Sequence, residues 1–271
     1  CLARRAGIPV RIVHSHSTGI KPGFSLPVKQ AANWFGKIFF RRYVTEYLAC
    51  SELAASWMFG SSVIGMEQVH FINNAIDVSS FTRQSEEAEQ LRIQSGLVGK
   101  RVIGTVGRFT KEKNPFFLIR AFEQLARFHK DAYLLWVGEG KLLEPVRQYA
   151  QSAGLEDRVI FYGRTNRVAP CLWVMDVFCL PSLFEGIPVS IIEAQAAGCM
   201  CLISDKVTQE CKASDNVRFV PIDQGVDSWV EAMANAELLC NPIVAAQQVR
   251  KNGYDAAEMS HIVQDILIKR C

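Results

Sequence analysis

The sequence predicts an α/β protein whose parallel sheets are covered by helices on both faces. From about residue 101, short apolar runs rich in β-branched residues alternate with stretches of helical length and periodicity. The apolar runs lack an alternating polar face, which is typical of parallel strands buried on both sides. Because crossover connections are right-handed, this order of elements predicts a doubly wound, Rossmann-like domain. Its ligand is expected beyond the carboxyl ends of the strands.

The strands predicted in this part are RVIGTVG, AYLLWVG, VIFYG, VFCLPS, CMCLIS and VRFVPI. The helices between them are predicted to begin near Asn114, Lys141, Val168 and Val189, with a short piece near Thr208. Residues 1–75 hold a shorter series, VRIVHSHS, YLACS and VHFINN. We therefore expect a partial N-terminal Rossmann-like domain with its linker at 1–98, a ligand-binding Rossmann-like domain at 99–253, and a final helix at 254–271 packing back on the first domain. The start at Cys1 suggests a fragment that begins within a domain.

Composition excludes several classes of protein. The 271 residues are 49% hydrophobic and 21% charged, as in globular domains with a sizeable core. A net charge of +3 is too small to indicate a nucleic-acid partner. No apolar run reaches the roughly 18 residues needed to cross a bilayer. The nine cysteines include no C-x-x-C pair and follow no secretion signal, which favours a reducing cytoplasm.

The segment FEGIPVSIIEAQAAG, residues 184–198, is the most informative motif. It follows a predicted strand, and Gly186 allows a ligand to approach the backbone closely. The helix that follows is almost wholly apolar, so the carboxylate of Glu193 within it needs donors such as the vicinal hydroxyls of a ribose. Glu185 lies in the loop, where it could hold sugar hydroxyls. The alternative is a helix with two incidental glutamates that pair with neighbouring cations.

Cations and glycines end the other strands. Arg108 and Lys113 follow the strand RVIGTVG, where two cations suit a pyrophosphate; alternatively they are solvated surface charges. Gly138 in WVGEGKLL and Gly163 in VIFYGR also end strands. They could line a base pocket or form plain tight turns. The segment WVGEGKLL fails both G-x-G-x-x-G and the Walker A pattern.

Together these motifs resemble the retaining glycosyltransferases of family 4, which have the GT-B fold of two Rossmann-like domains. That family carries two glutamates separated by seven residues, as Glu185 and Glu193 are here, and an Arg and Lys after the first strand of its C-terminal domain. The resemblance implies that Glu185 contacts the transferred sugar, that Glu193 binds the ribose, and that Arg108 and Lys113 bind the diphosphate. It also implies that the backbone of four residues contacts sugar and phosphate: Gly186, Ile187, Pro188 and Val189.

The N-terminal part also resembles this family. RIVHSHSTG matches the segment with a histidine that faces the donor, here His16; a structural strand-end histidine is the alternative. FINNAID departs from the family's Pro-Asn-Gly pattern at Asn73 and Ala75. The family's glycine-rich acceptor loop has no counterpart, which agrees with a fragment.

The resemblance implies a metal-independent, cofactor-free transferase. The donor would be a nucleotide sugar, UDP-linked by family frequency, and the acceptor a glycan or a lipid-linked glycan in surface polysaccharide synthesis. No Asp-x-Asp motif flanked by an apolar strand is present. The alternatives are a non-catalytic nucleotide-sugar-binding module and a GT-B epimerase; for a phosphorylase, no lysine is identified that would hold pyridoxal phosphate.

Residues 28–45 are basic and aromatic, with Lys29, Lys37, Arg41 and Arg42 beside Trp34 and other aromatic residues. Such a helix can lie on an anionic membrane surface. The alternative is a helix packed on its own domain with solvated cations. The expected location is therefore cytoplasmic, with peripheral contact at the inner face of the membrane through this segment.

Overall fold

The computed structural model describes residues 2–16, 32, 34–37 and 42–268. They divide into two compact units. The first spans Cys1–Ala75 together with Gly253–Cys271, and the second spans Ile76–Asn252. Residues 76–98, expected to close the first domain as a linker, thus belong to the second unit, whereas the C-terminal helix belongs to the first.

In chain order the strands are β1 (Ile12–Ser15), β2 (Glu46–Ala49), β3 (Val69–Phe71), β4 (Arg101–Val106), β5 (Ala132–Val137), β6 (Val159–Gly163), β7 (Val177–Leu180), β8 (Met200–Ser204) and β9 (Val217–Val220). The α-helices with defined bounds are α1 (Leu2–Arg5), α2 (Glu52–Phe59), α3 (Val78–Phe81), α4 (Ser85–Gln94), α5 (Pro115–Phe128), α6 (Leu143–Ser152), α7 (Val168–Trp173), α8 (Val189–Ala196), α9 (Asp227–Ala234), α10 (Pro242–Val249) and α11 (Ala256–Ile268). Short 3₁₀ turns cover Ser61–Val63, Lys111–Lys113 and Gln209–Cys211, and a π-helical turn covers Arg250–Tyr254.

The first unit contains a parallel sheet in the order β1-β2-β3. Alternate residues of a strand point to opposite faces, and both faces of β2 are used. Tyr47 and Ala49 pack with α2 and its buried Phe59. Leu48 packs on the other face with Ile266 of α11. The C-terminal helix therefore covers the second face of this small sheet.

The second unit contains a six-stranded parallel sheet in the order β6-β5-β4-β7-β8-β9. All six strands predicted from the sequence are present. Every residue of β7 and β8 is buried, as expected for strands covered on both faces. The prediction of a doubly wound parallel α/β sheet is confirmed.

The helices of the second unit begin close to the predicted residues. Asn114 precedes α5 with Pro115 at its first position, a position where the missing N–H of proline costs nothing. Helix α6 begins at Leu143, two residues after the predicted start, and α7 and α8 begin at Val168 and Val189. The fully buried Phe122 of α5 and Trp229 of α9 belong to the same hydrophobic core.

Gly198 ends α8 at a place where no side chain fits. Its φ is 79°, in the left-handed region, and a Cβ there would lie 2.4 Å from the Cβ of Pro242 at the start of α10. Glycine is therefore required both by the backbone conformation and by the close approach of the two helices. This agrees with the predicted helix end at Gly198.

Gln195, on α8, holds the helix to the segment after the 3₁₀ turn Gln209–Cys211. Its side chain is fully buried. Its Nε2 donates to the carbonyls of Ile191 at 3.1 Å and Cys211 at 2.8 Å. Its Oε1 accepts from the backbone N–H groups of Ala213 and Ser214, both at 2.8 Å. The amide thus satisfies polar backbone groups that no water reaches.

Replacing Gln195 by Leu should destabilise the protein. The substitution leaves two buried N–H groups and one buried carbonyl without partners, at about 1–3 kcal/mol each. We expect the free energy of unfolding, measured by urea denaturation, to fall by about 3 kcal/mol or more. The control is Gln151→Leu on the exposed surface of α6, which should change it by less than about 0.5 kcal/mol. Equal effects of the two substitutions would contradict this account of Gln195.

Candidate functional site

The strand order places a topological switch point between β4 and β7. Strand β4 pairs with β5 on one side and with β7 on the other, so successive connections leave toward opposite sides of the sheet. Doubly wound sheets bind ligands in the crevice beyond the carboxyl ends of the strands at such a point. The loops 107–114 after β4 and 181–188 after β7 border this place.

Glycines follow or end three neighbouring strands at this edge. The N–H of Gly107 donates to the carbonyl of Val137 at 3.0 Å, and the N–H of Gly138 donates to that of Gly163 at 2.9 Å. Gly138 has a φ of 141°, and a Cβ there would lie 2.0 Å from the carbonyl oxygen of Gly107. The predicted site residues Gly138 and Gly163 thus lie side by side at the carboxyl ends of neighbouring strands. There is no room for a side chain at Gly138.

An ion pair joins the loops after β4 and β7. Lys113 Nζ lies 2.7 Å from Glu185 Oε1, and each side chain is 20% exposed. The same oxygen accepts a hydrogen bond from the hydroxyl of the buried Ser182 at 3.2 Å. A backbone bond of 2.8 Å from the N–H of Leu183 to the carbonyl of Glu112 also connects the loops. Two predicted site residues therefore meet directly, and their charges compensate each other.

Gly107 and the turn that ends at Asn114 determine where the side chain of Lys113 lies. A Cβ on Gly107 would lie 3.5 Å from Lys113 Cε, so the lysine stem runs over this strand-end glycine. The turn Lys111–Lys113 ends at Asn114, whose φ of 52° is in the left-handed region. Asn tolerates this conformation better than most residues. It lets the chain turn from Lys113 straight into α5.

Arg108 directly follows the glycine that ends β4, and it is exposed. Its guanidinium forms no hydrogen bond or ion pair with any residue that the structure describes. None of its five N–H donors is taken by a described residue. In the loop after β4, Lys113 is therefore compensated by Glu185, whereas Arg108 has no partner among the described residues.

The segment Gly186 to Val189 leads from Glu185 into α8. Pro188 was expected in the first turn of the helix, but it is the N-cap residue, because its ψ of 125° is extended rather than helical. It makes no side-chain capping bond. The first N–H groups of a helix lack intrahelical partners and form the positive end of its dipole. Gly186 is exposed and Ile187 is half-buried beside them.

Glu193 lies one turn inside α8. Its neighbours Ile192 and Ala194 are fully buried, and burial raises the pKa of the Glu193 carboxyl above its ordinary value. Within the described ranges of the chain, no side chain or backbone group pairs with this carboxylate. A desolvated carboxylate without a partner is costly, and such perturbed groups cluster at functional sites.

His16 lies in the first unit, whereas the other predicted site residues lie in the second. It follows β1, and its Nδ1 lies 2.7 Å from Oδ1 of Asn74, which follows β3. Because this amide oxygen accepts, Nδ1 is the donor of this hydrogen bond. The ring of His14 lies 3.9 Å from that of His16 between centroids. Burial, and secondly the charge of His16, lower the pKa of His14.

Sequence reasoning missed three residues that support these groups: Ser182, Asn114 and Asn74. The Asn-Pro pair at 114–115 is a recognised turn signal, so the special backbone at Asn114 could have been found. Nothing in the sequence pairs Ser182 with Glu185 or Asn74 with His16, because these contacts depend on which strand ends are neighbours.

Half of the proposed membrane segment 28–45 lies outside the described part of the chain, namely residues 28–31, 33 and 38–41. Of its described residues, Trp34 and Phe35 are 59% and 65% exposed, with ring centroids 4.9 Å apart. None of the described helices is both long and apolar enough to cross a membrane. Among the described residues, no three His, Cys, Asp or Glu side chains are grouped to hold a metal ion.

The second unit is a doubly wound α/β domain, a class of fold that binds ligands beyond the carboxyl ends of its strands at the switch point. The sequence profile described as Glycosyl transferases group 1 matches residues 87–254, more than half of the chain. The chain belongs to this family.

Curated relatives agree with this assignment. The chain is 33% identical over 267 residues to the putative glycosyltransferase EpsF of Bacillus subtilis (strain 168), covering 94% of this chain and 67% of that protein. It is 25% identical over 236 residues to the Escherichia coli UDP-Gal:alpha-D-GlcNAc-diphosphoundecaprenol alpha-1,3-galactosyltransferase, covering 85% of this chain and 61% of that one. The chain thus spans roughly two thirds of the length of these relatives.

Solved structures share the fold. Anabaena Alr3699/HepE in complex with UDP has a TM-score of 0.77 at 17% identity, covering 98% of this chain and 74% of that one. WaaG, a glycosyltransferase involved in lipopolysaccharide biosynthesis, has a TM-score of 0.65 at 14% identity, covering 93% and 75%. The predicted α/β fold of the GT-B type is confirmed.

Replacing Gly138 by Ala should disrupt the strand edge at the switch point. The added Cβ would overlap the Gly107 carbonyl, so β4 and β5 must separate locally. We expect a loss of roughly 2–4 kcal/mol in the free energy of unfolding, the range of strained backbone and overpacking combined. Gly186→Ala is the matched control, because a Cβ there meets no atom within 4 Å. Thermal denaturation that does not distinguish the two variants would contradict the close approach.

Proposed function

We propose that the protein is a glycosyltransferase that moves a sugar from a UDP-sugar to the hydroxyl of a glycan or lipid-linked acceptor in surface polysaccharide synthesis. The observation that carries this proposal is the half-buried Glu193 carboxylate, which has no partner among the described residues. A nucleotide sugar carries both kinds of group that these residues would bind. Its ribose and sugar offer hydroxyl donors, and its diphosphate offers anionic acceptors.

Glu193 is assigned to the ribose. Two vicinal hydroxyls can each donate to one carboxylate oxygen, and hydrogen bonds to an ionised acceptor are about twice as strong as neutral ones. These hydrogen bonds would stabilise the ionised form of Glu193, which burial disfavours in the free protein. The spacing from Glu185, which resembles that of the family's two glutamates, supports the same role.

Arg108, Lys113 and the start of α8 are assigned to the diphosphate. Arg108 already has free donors, but Lys113 is held by Glu185 at 2.7 Å. A diphosphate carries more charge than a carboxylate, so it should draw Lys113 away from Glu185. Glu185 can then accept hydrogen bonds from hydroxyls of the transferred sugar, while the hydrogen bond from Ser182 holds the Glu185 carboxylate in place. Donor binding is thereby coupled to the release of the sugar-binding carboxylate.

In the proposed reaction, the bond between the sugar C1 and the β-phosphate oxygen breaks. UDP departs with the electron pair, the acceptor oxygen bonds to C1, and the proton of the acceptor hydroxyl passes to the β-phosphate oxygen of the departing UDP. Preorganised cations stabilise the charge that develops on the departing diphosphate. Retention of configuration, independence of metal and contact of His16 with the sugar belong to the proposal through the family resemblance. The backbone of Gly186 to Val189 is assigned to sugar and phosphate, and Gly138 and Gly163 to the nucleotide side of the crevice.

The choice of UDP is supported by related proteins: the Escherichia coli relative is a UDP-Gal-dependent galactosyltransferase by name, and a structural neighbour was crystallised with UDP. The glycan or lipid-linked acceptor rests on the same relative, whose name specifies a diphosphoundecaprenol-linked sugar. A cytoplasmic location with peripheral membrane contact through residues 28–45 is the location that such an acceptor would require.

The function is tested with Lys113→Met, which keeps the stem of the side chain and removes its charge. Lost attraction between one cation and a phosphate is worth about 1.5–3 kcal/mol, so UDP affinity measured by calorimetry should fall about tenfold or more. The control is Lys111→Met, an exposed lysine of the same 3₁₀ turn, which should keep affinity within about twofold. Equal affinities for both variants would contradict the assignment of Lys113.

Turnover assays with UDP-, GDP- and ADP-sugars separate the proposed transferase from its alternatives. Release of UDP that depends on an added glycan acceptor supports transfer. An altered sugar nucleotide without acceptor indicates an epimerase. Tight binding of UDP-sugar without turnover for any acceptor, in the chain extended to the length of its relatives, indicates a non-catalytic module.

A further inference from the structure

A separate cavity lies at the opposite edge of the large sheet, where the strands begin. Its volume is about 360 Å³, within the range of about 300–1,000 Å³ that is usual for small-molecule sites. Lys100 and Arg101 border it at the start of β4, Asp176 before β7, and Met200 at the start of β8. The proposed donor site lies beyond the other ends of these strands, so the two sites are distinct.

The single carboxylate in the lining of this cavity is already fully used. Asp176 Oδ1 accepts from Arg92 Nη2 at 2.7 Å, and Oδ2 accepts from the N–H of Val102 at 2.8 Å. Arg92 also donates to the carbonyls of Lys100 and Val174, at 3.1 and 2.7 Å. Arg92 and Asp176 therefore compensate each other, and Asp176 does not neutralise the remaining cations.

Three further cations line the cavity: Arg83, Lys100 and Arg101. Arg83 is half-buried, and its guanidinium pairs with none of the described residues. Lys100 Nζ lies over the ring of Tyr133, 5.5 Å from its centroid. Arg101 Nη2 donates to two backbone carbonyls at 2.8 Å each, and its buried Nε has no hydrogen-bond partner among the described groups. Neither a ring face nor a carbonyl cancels a full positive charge.

The charge of Arg83 also reaches the start of β8. Burial raises the pKa of the Cys199 thiol to about 12; the charge of Arg83 opposes this shift, and the charge of Asp176 adds to it. Cys199 follows Gly198, which itself lines the cavity. The uncompensated positive charge is thus concentrated in one partly enclosed place rather than spread over the surface, where solvent and salt would screen it.

We propose that this cavity binds a small multivalent anion, the phosphate group of a phosphorylated small molecule. Like charges held together repel one another, and an anion among them removes that repulsion. Guanidinium groups match phosphate oxygens through paired N–H donors, and a lysine adds a point charge. The apolar Met175 and Met200 in the lining leave room for a non-polar part of the ligand.

The probe is inorganic pyrophosphate, titrated by calorimetry into protein carrying Lys113→Met, which weakens binding at the proposed donor site. Ionic strength is held constant with NaCl. Binding should persist in this background and weaken about tenfold or more when Arg83→Gln and Lys100→Gln are added. The control pair Lys212→Gln and Lys251→Gln removes the same charge from exposed positions and should change affinity less than about twofold.

Thermal denaturation provides the second measurement. Without pyrophosphate, the melting temperature of the Arg83→Gln, Lys100→Gln variant should stay close to that of its parent, because the repulsion that is removed offsets the lost contact between Lys100 and the ring of Tyr133. With pyrophosphate, the parent's melting temperature should rise and the variant's should not. The proposal is overturned if no pyrophosphate binds in the Lys113→Met background, or if the control pair weakens binding as much. Either result leaves the Lys113 test of the donor site unaffected.

Discussion

The carboxylate of Glu193 is the constraint on which the account of this protein depends. It lies in an apolar helix between fully buried neighbours, and burial raises its pKa. A structural glutamate at such a position would be paired, because an unpaired desolvated charge costs stability. No described residue pairs with Glu193, so the folded protein carries this cost unless a ligand supplies the donors. The cost is understandable if the position is needed for hydroxyl recognition.

The sheet topology explains why Lys113 and Glu185 meet. The strand order reverses between β4 and β7, so the loops that follow these two strands diverge from a common edge. Lys113 and Glu185 come from those two loops, 72 positions apart in the chain, yet their charged atoms are 2.7 Å apart. Their mutual compensation lowers the cost of holding both charges at a place where each side chain is only 20% exposed.

Much of the fold could be predicted because its signals are local. Runs such as AYLLWV and VFCL are apolar on both faces, and Gly198 ends α8 in a left-handed conformation that few other residues adopt. The site residues were predictable as types, since a glutamate in an apolar helix is unusual by itself. Their contacts were not: the Lys113–Glu185 pair, the support from Ser182 and the Asn74–His16 bond depend on which strand ends become neighbours. Helix α8 begins after Pro188 and not at Pro188 because the ψ angle of this proline is extended. The amino-acid composition does not determine this angle.

The most direct test of the account is the pKa of Glu193, measured by NMR titration of carboxyl-labelled glutamate with and without UDP. The exposed Glu231 of α9 serves as an internal reference. The account predicts a raised pKa for Glu193 in the free protein and a clear fall when UDP binds, because hydroxyl donors stabilise the ionised form. A Glu193 pKa that stays the same or rises when UDP is bound would contradict the assignment of this carboxylate to the ribose.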